Sequence, residues 1–158
     1  MTSIELGIVE ILRSGVYNYI DRERPGITPE EVQVVQRQAF TADYFITGTN
    51  AITEKGELFN IDGNGNRVAA ISYGPKEVIV IAGSNKIVRD AEEARKRVKE
   101  ISAPANAMRL DCNTPCTIDG ICRNCASEKR ICCTEVLTGY QRIKNRIKVI
   151  IVDGDFGF

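Results

Sequence analysis

Apolar side chains recur at Ile4, Ile8, Ile11 and Leu12, the spacing of one helical face. This predicts a helix over Ile4–Arg13, with Gly15 placed as its C-cap glycine. Thr28-Pro29-Glu30-Glu31 is a stronger signal. Thr28 suits the N-cap, Pro29 the first helical position, and Glu31 closes a capping box. Val32, Val35 and Ala39 carry that helix to about Phe40. Asp43–Thr49 and Glu57–Ile61 read as strands. Asp62-Gly63-Asn64-Gly65-Asn66 reads as a turn tolerant of positive φ, and Arg67–Tyr73 as a returning strand that pairs Val68 with Leu58 in a hairpin. Glu77–Ala82 is a nearly continuous β-branched run suited to a sheet centre. Ala91, Ala94, Val98 and Ile101 predict a helix from about Asp90 to Ser102, with a charged outer face and Pro104 as its stop. Thr134–Thr138 and Ile147–Val152 are the last strands. Helices interleaved with strands, several of them continuous apolar runs, argue for one α/β domain over residues 1–158 with an open, mostly parallel sheet.

Composition narrows the chemistry more than the fold. The 21 basic residues balance the 21 acidic ones, so no global field favours nucleic acid or a membrane surface as partner. The longest apolar runs are strand-length, and the first residues lack the pattern of a signal peptide, so the expectation is a cytoplasmic protein. There is no histidine. That excludes a Ser-His-Asp triad, a Cys-His pair and every histidine-bearing metal site. Acid–base work falls to Asp, Glu, Lys, Tyr or Cys, and a soft-metal site has to be built mainly from thiolates.

All six cysteines lie in one segment, spaced Cys112-x3-Cys116-x5-Cys122-x2-Cys125-x6-Cys132-Cys133. In a cytoplasmic setting such a cluster points to metal rather than to disulfides. The residues leave three readings open: an iron–sulfur cluster, zinc, or thiols that are free or paired. A single Cys-x2-Cys is weak evidence for a zinc ribbon, which shows two. The irregular x5-x2-x6 spacing fits one loop folded around a cluster better than two zinc knuckles. Pro115 and Gly120 allow that loop to turn sharply, and Lys129 and Arg130 are placed either to stabilise thiolates or to stand in solvent.

Two stretches carry a resemblance. Thr47-Gly-Thr-Asn-Ala-Ile-Thr-Glu-Lys-Gly-Glu-Leu-Phe-Asn-Ile-Asp-Gly-Asn-Gly-Asn-Arg-Val-Ala-Ala70 resembles the central motif of the lactate-utilisation (LUD) domain family. The Asn-Thr-Pro-Cys segment through Arg-Ile-Cys resembles the C-terminal part of its short, cysteine-bearing members, relatives of the C subunit of bacterial lactate-utilisation operons. The resemblance runs from about Met1 to Phe158. It implies the fold of the NagB, ribose-phosphate isomerase and CoA-transferase group, and a role in L-lactate oxidation beside iron–sulfur partner subunits. It also picks Cys116, Cys122, Cys125 and Cys132 as the metal ligands. The family pattern places a helix, a strand and a glycine-rich turn before the stretch matching Ile4–Arg13, so the chain is expected to lack an N-terminal portion and to carry an exposed sheet edge.

In an open α/β sheet ligands sit beyond the carboxyl ends of the strands, which puts Gly48–Glu54 and Gly83–Lys86 at one rim. Asn50, Asn60, Asp62, Asn64, Asn66 and Arg67 are candidates to line a polar ligand site there with Gly48. The other reading makes the Asx residues servants of the turn. Lys86 is the charge partner for an anion cradled by Gly83-Ser-Asn-Lys86, unless that stretch is an ordinary strand-to-helix connection. Glu54 follows a strand where this fold group carries a reactive carboxylate, or else is a turn residue in water. Three functions are compatible with these features. The favoured one is an iron–sulfur-binding electron-transfer or assembly component of lactate oxidation. The second is a small-molecule enzyme acting on an acyl or hydroxyacid substrate through Glu54, with structural zinc. The third is a structural or regulatory subunit whose cysteine lobe is stapled by zinc.

Overall fold

The computed structural model describes residues 1–158. Its helices are α1 (Thr2–Glu5), α2 (Ile8–Leu12), α3 (Pro29–Gln38), α4 (Asn66–Tyr73), α5 (Ala91–Arg97), α6 (Ala103–Arg109) and α7 (Cys116–Asp119). Its strands are β1 (Tyr44–Thr47), β2 (Ala51–Thr53), β3 (Leu58–Asp62), β4 (Glu77–Gly83), β5 (Ile87–Val88), β6 (Thr134–Thr138) and β7 (Ile147–Val152). β1, β4 and β7 form an all-parallel sheet in that order, with Ile46 opposite Ile79 and Val80 opposite Val149. A second sheet has the order β5-β2-β3-β6, with β2 parallel to β5 and antiparallel to β3, and β3 antiparallel to β6. Three of the five strand pairings are parallel and neither sheet closes, so the α/β architecture is open and mostly parallel.

The period-2 alternation of strands explains how one sheet serves two cores. Ala51 and Phe59 face the α5–α6 side, where they join Val88, Ala94, Val98 and Ala103. Their neighbours Ile52 and Leu58 face the other way, with Ile71 of α4 and with Val78, Val80 and Ala82 of β4. The central strands β2 and β3 of the second sheet are therefore covered on both faces, and β4 is the buried centre of the first. The outer strand β7 is not covered: Val149, Ile150 and Ile151 are 41%, 49% and 51% exposed, on both faces of the strand. An exposed sheet edge is thus present.

Several elements follow the sequence pattern, and others depart from it for physical reasons. The capping box forms as the sequence predicts: the Glu31 amide donates to Thr28 Oγ1 at 3.2 Å, and the Thr28 amide donates to Glu31 Oε2 at 2.8 Å. The single helix expected over Ile4–Arg13 is two, broken where Gly7 takes φ +68°. Arg67–Tyr73 is helical, not a strand, and there is no Leu58/Val68 hairpin; Leu58 pairs with Ile52 and Thr138. The cause is Asp62, whose Oδ2 accepts from the Val68 amide at 2.9 Å and so caps the first turn of α4. Pro104 does not stop its helix either. A π-turn over Val98–Ser102 joins α5 to α6 without a break, and Pro104 sits in the first turn of α6, where a missing N–H costs little. The π-turn shifts the register beyond Arg97, so Ile101 is exposed while Ser102 is buried.

One buried arginine ties α4 to β7. Arg146, 5% exposed, donates to the carbonyls of Ile71 at 2.6 Å, Ala70 at 3.2 Å and Pro75 at 3.1 Å. It closes the C-terminal end of α4, where carbonyls otherwise lack partners. Arg146→Met is expected to cost more than about 2 kcal/mol in urea unfolding, because the buried carbonyls lose a charged donor. A change within about 0.5 kcal/mol, the range of surface substitutions, would mean that these bonds carry no net stability.

Candidate functional site

The two candidate regions of the sequence fold into two separate places. The first is the rim where β1 and β4 end. Asn50 is its hub. The Asn50 Oδ1 accepts from Arg67 Nη2 at 2.7 Å and from the Ile61 amide at 3.0 Å, its amide donates to Asn60 Oδ1 at 3.3 Å, and its carbonyl accepts from Arg97 Nη1 at 2.8 Å. Arg97 also donates to the Asn85 carbonyl at 3.2 Å and to Ser102 Oγ at 2.7 Å, so it clips the Gly48–Asn50 loop to the Ser84–Lys86 loop. Sequence reasoning left Arg97 on the charged outer face of its helix. It lies one turn after the buried Ala94, and its bonds to the Asn50 and Asn85 carbonyls hold it inside.

Lys86 stands beside this clip, 4% exposed and in no ion pair. Its ammonium donates to Thr2 Oγ1 at 3.1 Å, and a Cβ placed on Gly157 would meet Thr2 Oγ1 at 2.7 Å and Lys86 Nζ at 3.0 Å. Gly48 lies against the same threonine. Burial, and then the charges of Arg97 and Arg67, hold the Lys86 pKa down at about 8, with Glu5 opposing weakly. Arg67 is neutralised by Asp62 at 2.6 Å, whereas Arg97, 9% exposed, bonds only to carbonyls and a hydroxyl. The rim therefore carries an excess of buried positive charge.

Hydrogen bonds join Asn50, Asn60, Asp62 and Arg67, Gly48 and Lys86 both lie against Thr2, and Asp62 serves both the ion pair and the helix cap. Asn66 begins α4 and Asn64 is exposed in the loop before it. Glu54 is elsewhere, exposed in the turn between β2 and β3 at the end of β2 away from Asn50.

The second place is the cysteine segment. Cys116, Cys122, Cys125 and Cys132 line one pocket, floored by Ala103 and Ala107 of α6 and bordered by Ile131, Arg123 and Arg130. Cys112 and Cys133 do not line it. All six thiols are unpaired. Arg130 is the organising side chain: it donates to the Cys125 carbonyl at 2.6 Å, to the Cys132 carbonyl at 2.7 Å and towards Cys132 Sγ at 3.5 Å. Its own Nε is buried without a partner. The hydrogen bond to Cys132 raises the Arg130 pKa still further above its ordinary value. Lys129, by contrast, is exposed. Thr114 Oγ1 lies 3.4 Å from Cys116 Sγ. The thiols are spread around the pocket, and no three metal-ligating side chains meet at one point.

Comparison with known families decides the kinship. The profile of the LUD domain matches residues 1–152. The chain belongs to the LUD domain family. Among solved structures, this LUD-domain chain is similar to a DUF162 family protein from Deinococcus radiodurans, with a TM-score of 0.40 and 17% identity over 97% of this chain and 84% of that one. No curated protein matches it. Its family makes this LUD-domain chain a lactate-utilisation-related protein. No helix in it is long and apolar enough to cross a membrane.

Lys86 gives the rim a measurable signature. Between about pH 8 and 10.5 the unfolded chain holds a proton that the folded chain has lost, so stability rises with pH across that window. Below it, the buried cation costs about 3 kcal/mol. Lys86→Met is accordingly expected to be more stable than the parent at pH 7 in urea unfolding, and to lose most of that advantage by about pH 10.5. A variant that is less stable at pH 7 would show that Lys86 is not an uncompensated charge.

Proposed function

We propose that this LUD-domain protein holds an iron–sulfur cluster on Cys116, Cys122, Cys125 and Cys132 and serves electron transfer or assembly in L-lactate oxidation, beside iron–sulfur partner subunits. The observation that carries the reading is that these four of the six cysteines line one pocket, while the other two stand outside it. The donor set is all sulfur, which suits an iron–sulfur cluster or zinc. The irregular x5-x2-x6 spacing of these cysteines, which suits one loop folded around a larger group, favours the cluster. Zinc gathers four sulfurs at about 2.3 Å around a single point, whereas a cluster takes its ligands from around a wider body.

When bound, such a cluster accepts and passes on single electrons. The chain supplies the rest. Arg130 fixes the backbone at Cys125 and Cys132, brings positive charge towards the Cys132 sulfur, and has a buried Nε–H left to give to a sulfur in the pocket. Ala103, Ala107 and Ile131 limit water on the apolar side of the pocket. Arg123 borders the pocket as an ion pair with Asp119 at 2.5 Å, a contact that holds the Asp119 carboxyl down at about pKa 2.

The test is anaerobic purification followed by absorbance near 400 nm and analysis of iron, sulfide and zinc. The expected outcome is a brown protein with iron and sulfide in near-equal amounts. Cys125→Ser is expected to lose the iron and Cys133→Ser to keep it. Arg130→Met is expected to keep the cluster at a lower reduction potential, since a nearby positive charge is gone. A colourless protein with one zinc and no iron would sink the proposal, as would full iron retention by Cys125→Ser.

A further inference from the structure

The rim at the carboxyl ends of β1 and β4 carries chemistry that the cysteine pocket does not use. Two cations there, Lys86 and Arg97, are at least nine-tenths buried and lack a carboxylate partner. Buried charges are normally paired, because leaving one alone forfeits its hydration without return. Lys86 has three N–H donors and directs only one of them, at a neutral hydroxyl oxygen of Thr2. Arg97 makes its hydrogen bonds through Nε and Nη1, leaving Nη2 without one.

A further donor at the rim is also left over. Asn60 is 1% exposed, and its Nδ2 has no hydrogen-bond partner. The orientation of this amide is fixed, because its Oδ1 accepts from the Asn50 amide and a flipped side chain would set two donors against each other. The unused group is therefore an N–H donor held against Asn50, the residue to which Arg67 and Arg97 also bond. Surplus positive charge and surplus N–H donors at one place call for one kind of guest, an acceptor with negative charge. A cation or an apolar ligand answers neither need.

We propose that the rim framed by Gly48, Asn50, Asn60, Arg67, Lys86 and Arg97 is a binding site for the oxyanion head of a small molecule, a carboxylate or a phosphate. The Thr2 hydroxyl, an uncharged acceptor over Lys86, gives way to a charged oxygen of the ligand. Asp62 keeps Arg67 in place and lends one negative charge, which leaves Lys86 and Arg97 to meet the anion. The site is independent of the cysteine pocket, and it stands or falls without any cluster.

The experiment is a 1H–15N NMR titration of the full chain at pH 7 with sodium phosphate and, separately, with sodium acetate, each against sodium chloride at matched ionic strength. The expected result is saturable movement of the Asn60 side-chain amide and of the Asn50 and Asn85 backbone amides with one of the two anions, which identifies the head group. Lys86→Met, with its fold checked by the dispersion of the same spectrum, is expected to weaken that binding by about thirtyfold or more, as loss of one partner of a buried charged contact does. Lys86→Arg is expected to retain most of it. Shifts that stay linear with both anions, or that are the same in Lys86→Met, would overturn the proposal, and so would an Asn60 amide that does not move while other residues do.

Discussion

Arg97 is the side chain that ties the rim together. It leaves the end of α5 just before the π-turn, bonds back across that turn to Ser102, and reaches the carbonyls of Asn50 and Asn85. Without these bonds the two loops at the strand ends would be joined only through the adjoining β2–β5 pairing, and the Asn50 carbonyl would lose its partner. The same turn sets the phase of α6. By adding one residue to the helical repeat it turns Ala103 and Ala107 inward, where they floor the cysteine pocket. One irregularity in one helix thus stands between the cationic rim on one side and the thiol pocket on the other.

Much of the fold was legible because local chemistry and burial agree. The Thr28 capping box and the β-branched run of Glu77–Gly83 need nothing from elsewhere in the chain to be recognised. The failures share a cause: a distant contact decides the local structure. Arg67–Tyr73 alternates well enough for a strand, but the Asp62 carboxylate captures the Val68 amide and starts a helix. The glycines before it answer to packing as much as to turning. A Cβ on Gly63 would lie 3.3 Å from the Ile131 backbone, where the cysteine segment crosses and the Cys133 amide bonds to the Asp62 carbonyl. No window of neighbouring residues contains that information.

The sites divide in the same way. The Asx-rich motif gave Asn50, Asn60, Asp62 and Arg67 together, because hydrogen bonding within one motif keeps its members close. Thr2 and Arg97 were missed, since each enters the rim through a fold contact from far along the chain. Arg97 looked like any solvated helix cation, and the one hint was its place one turn after the inward Ala94. Glu54 sits in the turn after β2, while Asn50 sits before it, so three residues of extended chain separate them.

The rim and the cysteine segment use opposite electrostatic strategies, and the contrast is informative about each. Around the thiols, Arg130 brings positive charge to sulfur atoms that are neutral only while protonated, so the pocket is prepared for charge that arrives with deprotonation or a ligand. At the rim the positive charge is already buried and lacks its counterpart. Folding alone gains nothing from an unpaired lysine beside two arginines; an apolar side chain in its place would serve the core better. A domain that retains such a group gives up stability at that point, and such losses concentrate where a chain must meet a ligand. The open strand ends of a parallel sheet are where the fold leaves room for one.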